Sequence, residues 1–310
     1  MITTFEGPVL VSRDNPQLPR GAIQNPDLGP SLFDLGMGTI DPRMGLNRMM
    51  PNGGLSALGI GLTGKMLLVD AVPAAVSTTN IAAAQAVTSG TPMTLVSASG
   101  NGINVLSSSV TIAATGAQVP AGTLCIDAIP ALIFFNVRNS VAVPDPRTMI
   151  ARAVSITGAA SSPGGSFLVK GYDLYGLPQS ETITVPAAST TAVTQNGKKG
   201  WKFISSVTPE FTSTYDYSVG TTDIYEFPIA VYDWSYVQVY WAGTLETANT
   251  GFVAADQTSP ATSSTGSVRG TYALPTASNG TSGLHIWAAV APYNLVNVNG
   301  QGSIFGVTPA

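Results

Sequence analysis

The chain has 310 residues, of which only 10% are Asp, Glu, Lys or Arg, and its formal net charge is −4 at pH 7. An ordinary soluble domain carries about 25% charged residues, so this chain is poor in charge. Because no basic cluster is present to neutralise phosphates, we expect no nucleic-acid partner. The single cysteine, Cys125, excludes an intramolecular disulfide framework, and the single histidine, His285, disfavours most His-based metal and acid–base sites. We therefore expect no cofactor.

Residues 1–65 differ from the rest of the chain because prolines and glycines interrupt every apolar pattern. Each proline fixes φ and removes an amide donor, which favours extended backbone. The segment still carries spaced apolar side chains, which a solvated linker does not need. We interpret it as an extended arm that orders on a partner; a disordered tail and a small irregular subdomain are the alternatives. Its candidate contact residues are Phe5, Arg13, Arg20, Leu32, Phe33, Met44, Arg48 and Met49.

Residues 66–310 predict a mainly β fold, an antiparallel β-sandwich of jelly-roll or immunoglobulin-like type. Short β-branched runs are separated by Gly and Pro turn signals, and runs such as 180–185 and 236–241 alternate apolar and polar residues. The region forms either one sandwich or two subdomains that meet near residue 145. One segment departs from this pattern: the alanine run of 79–87 follows a Thr or Asn N-cap and predicts a short helix.

From Ala71 to Ile126 the sequence contains no charged residue. Surface charge keeps proteins soluble and blunts the edges of sheets, so a β-prone stretch without charge is an aggregation hazard in a free monomer. We expect identical copies or a partner to cover this surface, which indicates a homo-oligomer within a larger assembly. The alternative is an extracellular β protein that uses Ser, Thr and Asn for solubility.

Candidate chemistry is sparse. The carboxylates near the aromatic stretch could serve glycoside hydrolysis or a Ca²⁺ site, but between Tyr and Trp on strands they are more typical of solvated or N–H-capping groups. His285, on the same strand face as Trp287, is interpreted as a hydrogen-bonded structural residue, and Cys125 as a small buried hydrophobe. We therefore expect no enzymatic activity. The carboxylates concerned are Asp216, Asp223, Glu226 and Asp233.

Aromatic residues cluster between positions 225 and 241. They could line a sugar-binding groove, or they could form the sandwich core together with a contact between subunits, where aromatic rings supply much of the buried area. We favour the second interpretation. Besides Tyr225 and Phe227, the cluster contains Tyr232, Trp234, Tyr236, Tyr240 and Trp241.

Two stretches of the second half follow a recurrent pattern. Residues 171–186 contain Gly-x-Asp-x-x-Gly followed by a Glu-Thr-Ile strand, and residues 199–209 contain a Lys-x-Ile-x-Ser-Val strand. This pattern resembles virion structural proteins of tailed double-stranded DNA bacteriophages. Residues 267–275, with Gly306-Val307, are similar to the C-terminal part of the same group, so the resemblance covers roughly 149–310. Within these motifs, Asp173 and Gly176 predict a hairpin turn, and Glu181 is expected to pair across strands with Lys199 or Lys202.

The resemblance implies a capsid decoration (cement) protein, usually a symmetric oligomer on the exterior of the phage head. We expect a homo-oligomer, most simply a trimer, that clamps adjacent copies of the major capsid protein. The alternatives are another virion component (a tail, adaptor or fibre protein) and a carbohydrate-binding or hydrolytic β-sandwich. No apolar run reaches the ~20 residues of a membrane span, and the N-terminus lacks the pattern of a signal peptide. We thus expect synthesis in the host cytoplasm, location in the virion and no membrane partner.

Overall fold

The computed structural model describes residues 65–112, 116–127, 135–138, 141–144, 147–256, 258, 266–289 and 309. Of residues 65–67, 135–138, 141–144, 236 and 289 it describes the backbone only. The described chain is almost entirely β, with one 3₁₀ turn at Trp234–Tyr236. Its strands are β1 Lys65–Ala71, β2 Ser77–Val87, β3 Ile103–Val105, β4 Val110–Thr111, β5 Gln118–Val119, β6 Leu124–Ile126, β7 Phe135–Arg138, β8 Val141–Pro144, β9 Arg152–Gly158, β10 Gly165–Tyr172, β11 Pro178–Val185, β12 Val193–Asn196, β13 Phe203–Pro209, β14 Ser213–Glu226, β15 Val237–Trp241, β16 Thr244–Glu246, β17 Phe252–Val253, β18 Thr271–Ala273 and β19 Leu284–Ala289.

Two large sheets are built from antiparallel pairs. The six-stranded sheet has the order β12-β9-β14-β18-β17, with β2 also paired to β14, and the five-stranded sheet has the order β11-β10-β13-β6-β3. A four-stranded sheet, β16-β15-β19-β1, and the two-stranded sheets β4-β5 and β7-β8 complete the described strands. The prediction of an antiparallel β-sandwich is confirmed.

One apolar core lies between the two large sheets. Ile156 of β9 and Val219 of β14 contribute to it from the six-stranded sheet, and Phe167 of β10 and Ile204 of β13 contribute from the five-stranded sheet. Trp201, which is fully buried, lies among them. Alternate residues of β11 are buried and exposed, as expected for a strand with one face on a core.

The predicted helix at 79–87 is wrong, because this segment forms strand β2. It pairs antiparallel with β14 along most of its length, although three register shifts interrupt the pairing. Asn80 does not cap a helix: its side chain donates to the carbonyl of Asn101 and to Thr221 Oγ1, and it accepts from the Thr221 amide at 3.1 Å. Pairing with a long neighbouring strand therefore outweighs the helix propensity of the alanines.

The arm predicted for residues 1–65 lies outside the described residues except for Lys65, as do its eight candidate contact residues. Residues 67–286 belong to one compact unit, to which the following description applies. The division of 66–310 near residue 145 stays a prediction. In the part of the chain that the structure describes, no helix is long and apolar enough to cross a membrane.

Candidate functional site

The turn between β10 and β11 organises a buried group of charges. Gly176 adopts a positive φ of 77°, and the Asp173 Oδ1 atom accepts from the amides of Tyr175 and Leu177, each at 2.8 Å. This confirms the predicted hairpin turn, whose left-handed position suits glycine. The second carboxylate oxygen of Asp173 accepts from Arg269 Nη2 at 2.9 Å. The turn thus fixes a carboxylate in the protein interior.

Arg269, Asp173 and Glu226 form what we call the inner ionic cluster. Arg269 forms ion pairs with both carboxylates, and none of the three side chains is more than 1% exposed. The guanidinium also lies 5.0 Å from the centre of the Tyr175 ring. One arginine therefore faces two buried carboxylates, so the cluster has a net charge of −1 when both are ionised.

The pKa of Glu226 is shifted by its surroundings in this cluster. Burial raises the pKa of this carboxyl to about 7, although the neighbouring Arg269 lowers it and Asp173 adds to the rise. One oxygen of Glu226 accepts from the Gly200 amide at 3.1 Å. The Glu226 carboxyl consequently gains a proton near neutral pH.

A second group, the outer ionic cluster, joins Arg152, Asp127 and Asp223. Arg152 Nη1 lies 3.1 Å from Asp127 Oδ2, and Nη2 lies 3.4 Å from Asp223 Oδ1. The guanidinium also donates to the carbonyl oxygens of Thr222 and Ala74 and to Ser278 Oγ. The Asp223 side chain keeps 18% of its surface exposed, so water still contributes to its solvation.

The loop between β12 and β13 contacts Glu181. Glu181 Oε2 accepts from the Lys198 amide at 2.5 Å, and Oε1 accepts from the Lys199 amide at 3.2 Å. The charges of Glu181 and Lys199 also attract each other, as the predicted pairing of Glu181 with Lys199 requires. Burial raises the pKa of Glu181, and these two amides oppose the rise. The Lys202 ammonium donates to the carbonyl oxygen of Asp127 at 3.2 Å.

These contacts leave little charge at the surface. Among the basic residues whose side chains the structure describes, the exposed ones are Arg147, Lys170 and Lys198. Charged side chains are almost never fully buried unless they are paired, so this sequence places in its interior many of the few charges that it has. The buried charged residues are Arg152, Asp173, Glu181, Lys199, Lys202, Glu226 and Arg269.

The aromatic cluster divides between the core and partly exposed positions. Tyr225, Phe227 and Trp241 are buried. Trp234 is half-buried and stacks on Tyr272, with ring centroids 5.0 Å apart. Intramolecular packing thus occupies these rings, in keeping with the core interpretation, whereas their contact with another subunit stays a prediction. Of the other residues in the cluster, Tyr232 and Tyr240 are half-buried, and the side chain of Tyr236 lies outside the described atoms.

The predicted acid–base candidates are dispersed. Asp233 caps the 3₁₀ turn by accepting from the Ser235 amide, as a capping carboxylate would, and Asp216 is exposed on β14. Asp223 belongs to the outer ionic cluster and Glu226 to the inner one. Each carboxylate therefore has a structural contact or lies in solvent. Within the described residues, no group of three or more His, Cys, Asp or Glu side chains is arranged to hold a metal ion.

His285 and Cys125 have structural surroundings. His285 Nδ1 lies 3.0 Å from Asp70 Oδ1 beside a cavity of about 400 Å³, which Asp127 and Arg147 also line. In the described part of the chain, no hydroxyl or thiol hydrogen bonds to His285. Cys125 is fully buried, as predicted, and burial raises the pKa of its thiol to about 11, which leaves it protonated and unreactive at neutral pH.

Sequence reasoning missed Arg152 and Arg269, the centres of both ionic clusters. A signal was present, since Arg152 interrupts the apolar run from Met149 to Val154 and must face either solvent or a buried partner. The sequence does not identify that partner, because Asp127 and Asp223 lie 25 and 71 positions from Arg152 along the chain.

Comparison with known proteins adds no relative: no family model, no curated protein and no solved structure matches the chain.

Proposed function

We propose that the chain is a non-enzymatic capsid decoration protein, which binds the exterior of a tailed phage head and clamps adjacent major capsid proteins. The observation that carries the proposal is the distribution of charge. The sequence is poor in ionic residues, and the fold buries seven of them in its interior. Among the residues that the structure describes, most exposed positions are Ser, Thr, Ala or Gly, which is typical of a surface that neighbours cover.

Cementing by such a surface works through many small contacts. Short Ser, Thr and Ala side chains lose little conformational entropy when a neighbour covers them. A homo-oligomer, most simply a trimer at a threefold position, presents several copies of this surface at once, so binding of one subunit raises the effective concentration of the others. The proline-rich segment 1–65 would add further contacts on neighbouring capsomers.

The decisive experiment is reconstitution with the capsid. The purified chain is mixed with shells assembled from the major capsid protein encoded in the same genome, and the bound copies are counted after sedimentation. We expect hundreds of copies per particle and an increased melting temperature of the shell. A dozen copies or fewer would instead indicate a tail, adaptor or vertex component, and the absence of binding would refute the proposal.

The contribution of the arm is measured in the same assay. A variant that lacks residues 1–50 should keep the circular dichroism spectrum and oligomeric state of the full chain, because the described sheets begin at residue 65. We expect shells decorated with it to melt at a lower temperature than shells carrying the full chain. Equal melting temperatures would remove the arm from the mechanism.

A further inference from the structure

Most edges of the described sheets carry a protective feature, as expected because an open edge invites pairing with another chain. Strands β3, β16 and β17 have only two or three residues. Strand β2 has three register shifts in its pairing, and residues 94–96 cover it through the Val96 amide, which donates to the Ile81 carbonyl, and through the Gln85 side chain. Shortness, irregularity and cover therefore close these edges.

Strand β11 has none of these features. It lies at the end of the five-stranded sheet, has eight residues, and pairs with β10 in one unbroken register from Gly165↔Val185 to Tyr172↔Pro178. Among the described residues, no backbone group outside β10 hydrogen bonds to the backbone of β11. Proline stands only at its first position, Pro178, and just after its end, Pro186. Between them, the edge is regular, and the part of the chain that the structure describes leaves it open over about 25 Å.

The side chains of β11 also lack the usual charged protection. Its outward positions are Ser180, Thr182 and Thr184, and its charged residue, Glu181, points into the interior. Thr184 Oγ1 lies 2.8 Å from Ser166 Oγ on β10, which shows that hydroxyl pairs form across strands on this face. The outer row is therefore neutral, β-prone and able to hydrogen bond.

We infer that β11 is a self-association edge, where it pairs antiparallel with β11 of a second copy of this chain. Antiparallel pairing about a twofold axis at Thr182 sets Thr182 opposite its own copy and Ser180 opposite Thr184 of the second copy, so the outward row faces itself. A charged row would therefore repel itself, whereas Ser and Thr rows attract through cross-strand hydroxyl contacts. The outward row of β11, Ser180, Thr182 and Thr184, carries no charge and therefore meets this condition. The contact joins two five-stranded sheets into one continuous sheet, either in a dimer or as the twofold contact of a larger assembly.

A twofold contact cannot form within a threefold trimer, so this contact would join the trimers of the proposed function to one another, and it rests on that proposal for its role on a particle. The contact itself forms between copies of the purified chain. Failure of the edge and failure of capsid binding are therefore separate results: a chain that self-associates through β11 without binding shells refutes only the proposed function.

The test places a charge in the edge. Thr182 lies beside the middle of β11, so in a centred twofold pair a Thr182→Lys side chain meets its own copy. We expect sedimentation equilibrium of the full chain to show at least a tenfold increase in the dissociation constant of the self-associated form. Thr184→Lys, at the next outward position, provides a second variant. Thermal unfolding of each variant checks that the fold is retained.

Ser205→Lys is the matched control, because Ser205 is exposed on β13, an inner strand of the same sheet. We expect it to leave the dissociation constant within about twofold of the wild type. A loss of association with Ser205→Lys equal to that with Thr182→Lys would assign the contact to the sheet face and overturn the edge.

Hydrogen exchange gives a direct reading of the edge. Amides within 178–185 should exchange more slowly at a protein concentration above the dissociation constant than below it, and Thr182→Lys should abolish this difference. A wild-type chain that stays monomeric at millimolar concentration, a Thr182→Lys variant that associates normally, or exchange in 178–185 that is independent of concentration would each refute the inference.

Discussion

The two ionic clusters use the same ingredients, one arginine and two carboxylates, in different surroundings. In the outer cluster, Asp223 remains 18% exposed and Arg152 has three further neutral acceptors. In the inner cluster, Asp173 and Glu226 are almost completely buried and share one arginine. The clusters thus differ in the exposure of their carboxylates, and in the inner cluster burial raises the pKa of Glu226 to about 7.

The largest expected effect comes from removing the arginine of the inner cluster. Arg269→Met should lower the free energy of unfolding by roughly 3–5 kcal/mol, because it leaves two buried carboxylates without their cation. The loss should be greater at pH 8 than at pH 5, where Glu226 is protonated. Urea unfolding measures it, with Lys170→Met, at an exposed site, as the control expected to change stability by about 0.5 kcal/mol or less.

Arg152→Met provides the comparison for that measurement. We expect a smaller loss, about 2–3 kcal/mol, because Asp223 keeps water and the Ser278 amide, and Asp127 keeps the Ala74 amide. If Arg152→Met destabilises the chain more than Arg269→Met does, burial of the carboxylates is not the deciding difference.

The second prediction concerns pH. The ordinary Glu pKa is 4.5, and burial raises that of Glu226 to about 7 in the folded protein. The folded state therefore holds a proton that the unfolded state releases, so this contribution to stability is complete below pH 4.5 and is lost as the pH rises through 7. Glu226 faces Arg269, Asp173, Tyr175 and Lys199, whose charges enter the same balance.

Glu226→Gln removes this titration. Relative to the variant, the wild type should lose on the order of 3 kcal/mol of unfolding free energy between about pH 4 and pH 8. Urea unfolding across this range measures the difference, with Glu210→Gln, at an exposed site, expected to reproduce the wild-type pH profile. Parallel profiles of Glu226→Gln and the wild type would show that Glu226 does not titrate in this range.

The smallest expected effect belongs to the outer cluster. Asp223→Asn should change the unfolding free energy by about 1 kcal/mol or less, because the side chain is partly exposed and its amide oxygen can still accept from Ser278. A loss of unfolding free energy as large as that of Arg269→Met would show that the partial exposure of Asp223 does not distinguish the two clusters.

The sequence was informative where structure depends on local chemistry. The hairpin at Asp173–Gly176, the alternation of β11, the capping role of Asp233 and the burial of Cys125 each follow from a few neighbouring residues. The prediction from sequence was wrong where pairing with a distant strand determines the structure. Residues 79–87 contain good helix formers, but they form a strand because they pair with the long strand β14. The partners of Arg152 and Arg269 are likewise set by tertiary packing, which no local pattern encodes.

Burial of the basic side chains also limits where trypsin can cleave the folded protein. Trypsin cleaves after Lys and Arg, and between residues 147 and 289 only Arg147, Lys170 and Lys198 present such a side chain at the surface. The bonds after Arg152, Lys199, Lys202 and Arg269 become cleavable only when the sheets open. Tryptic peptides that end at those four residues would thus report transient unfolding, and mass spectrometry would detect them without any label.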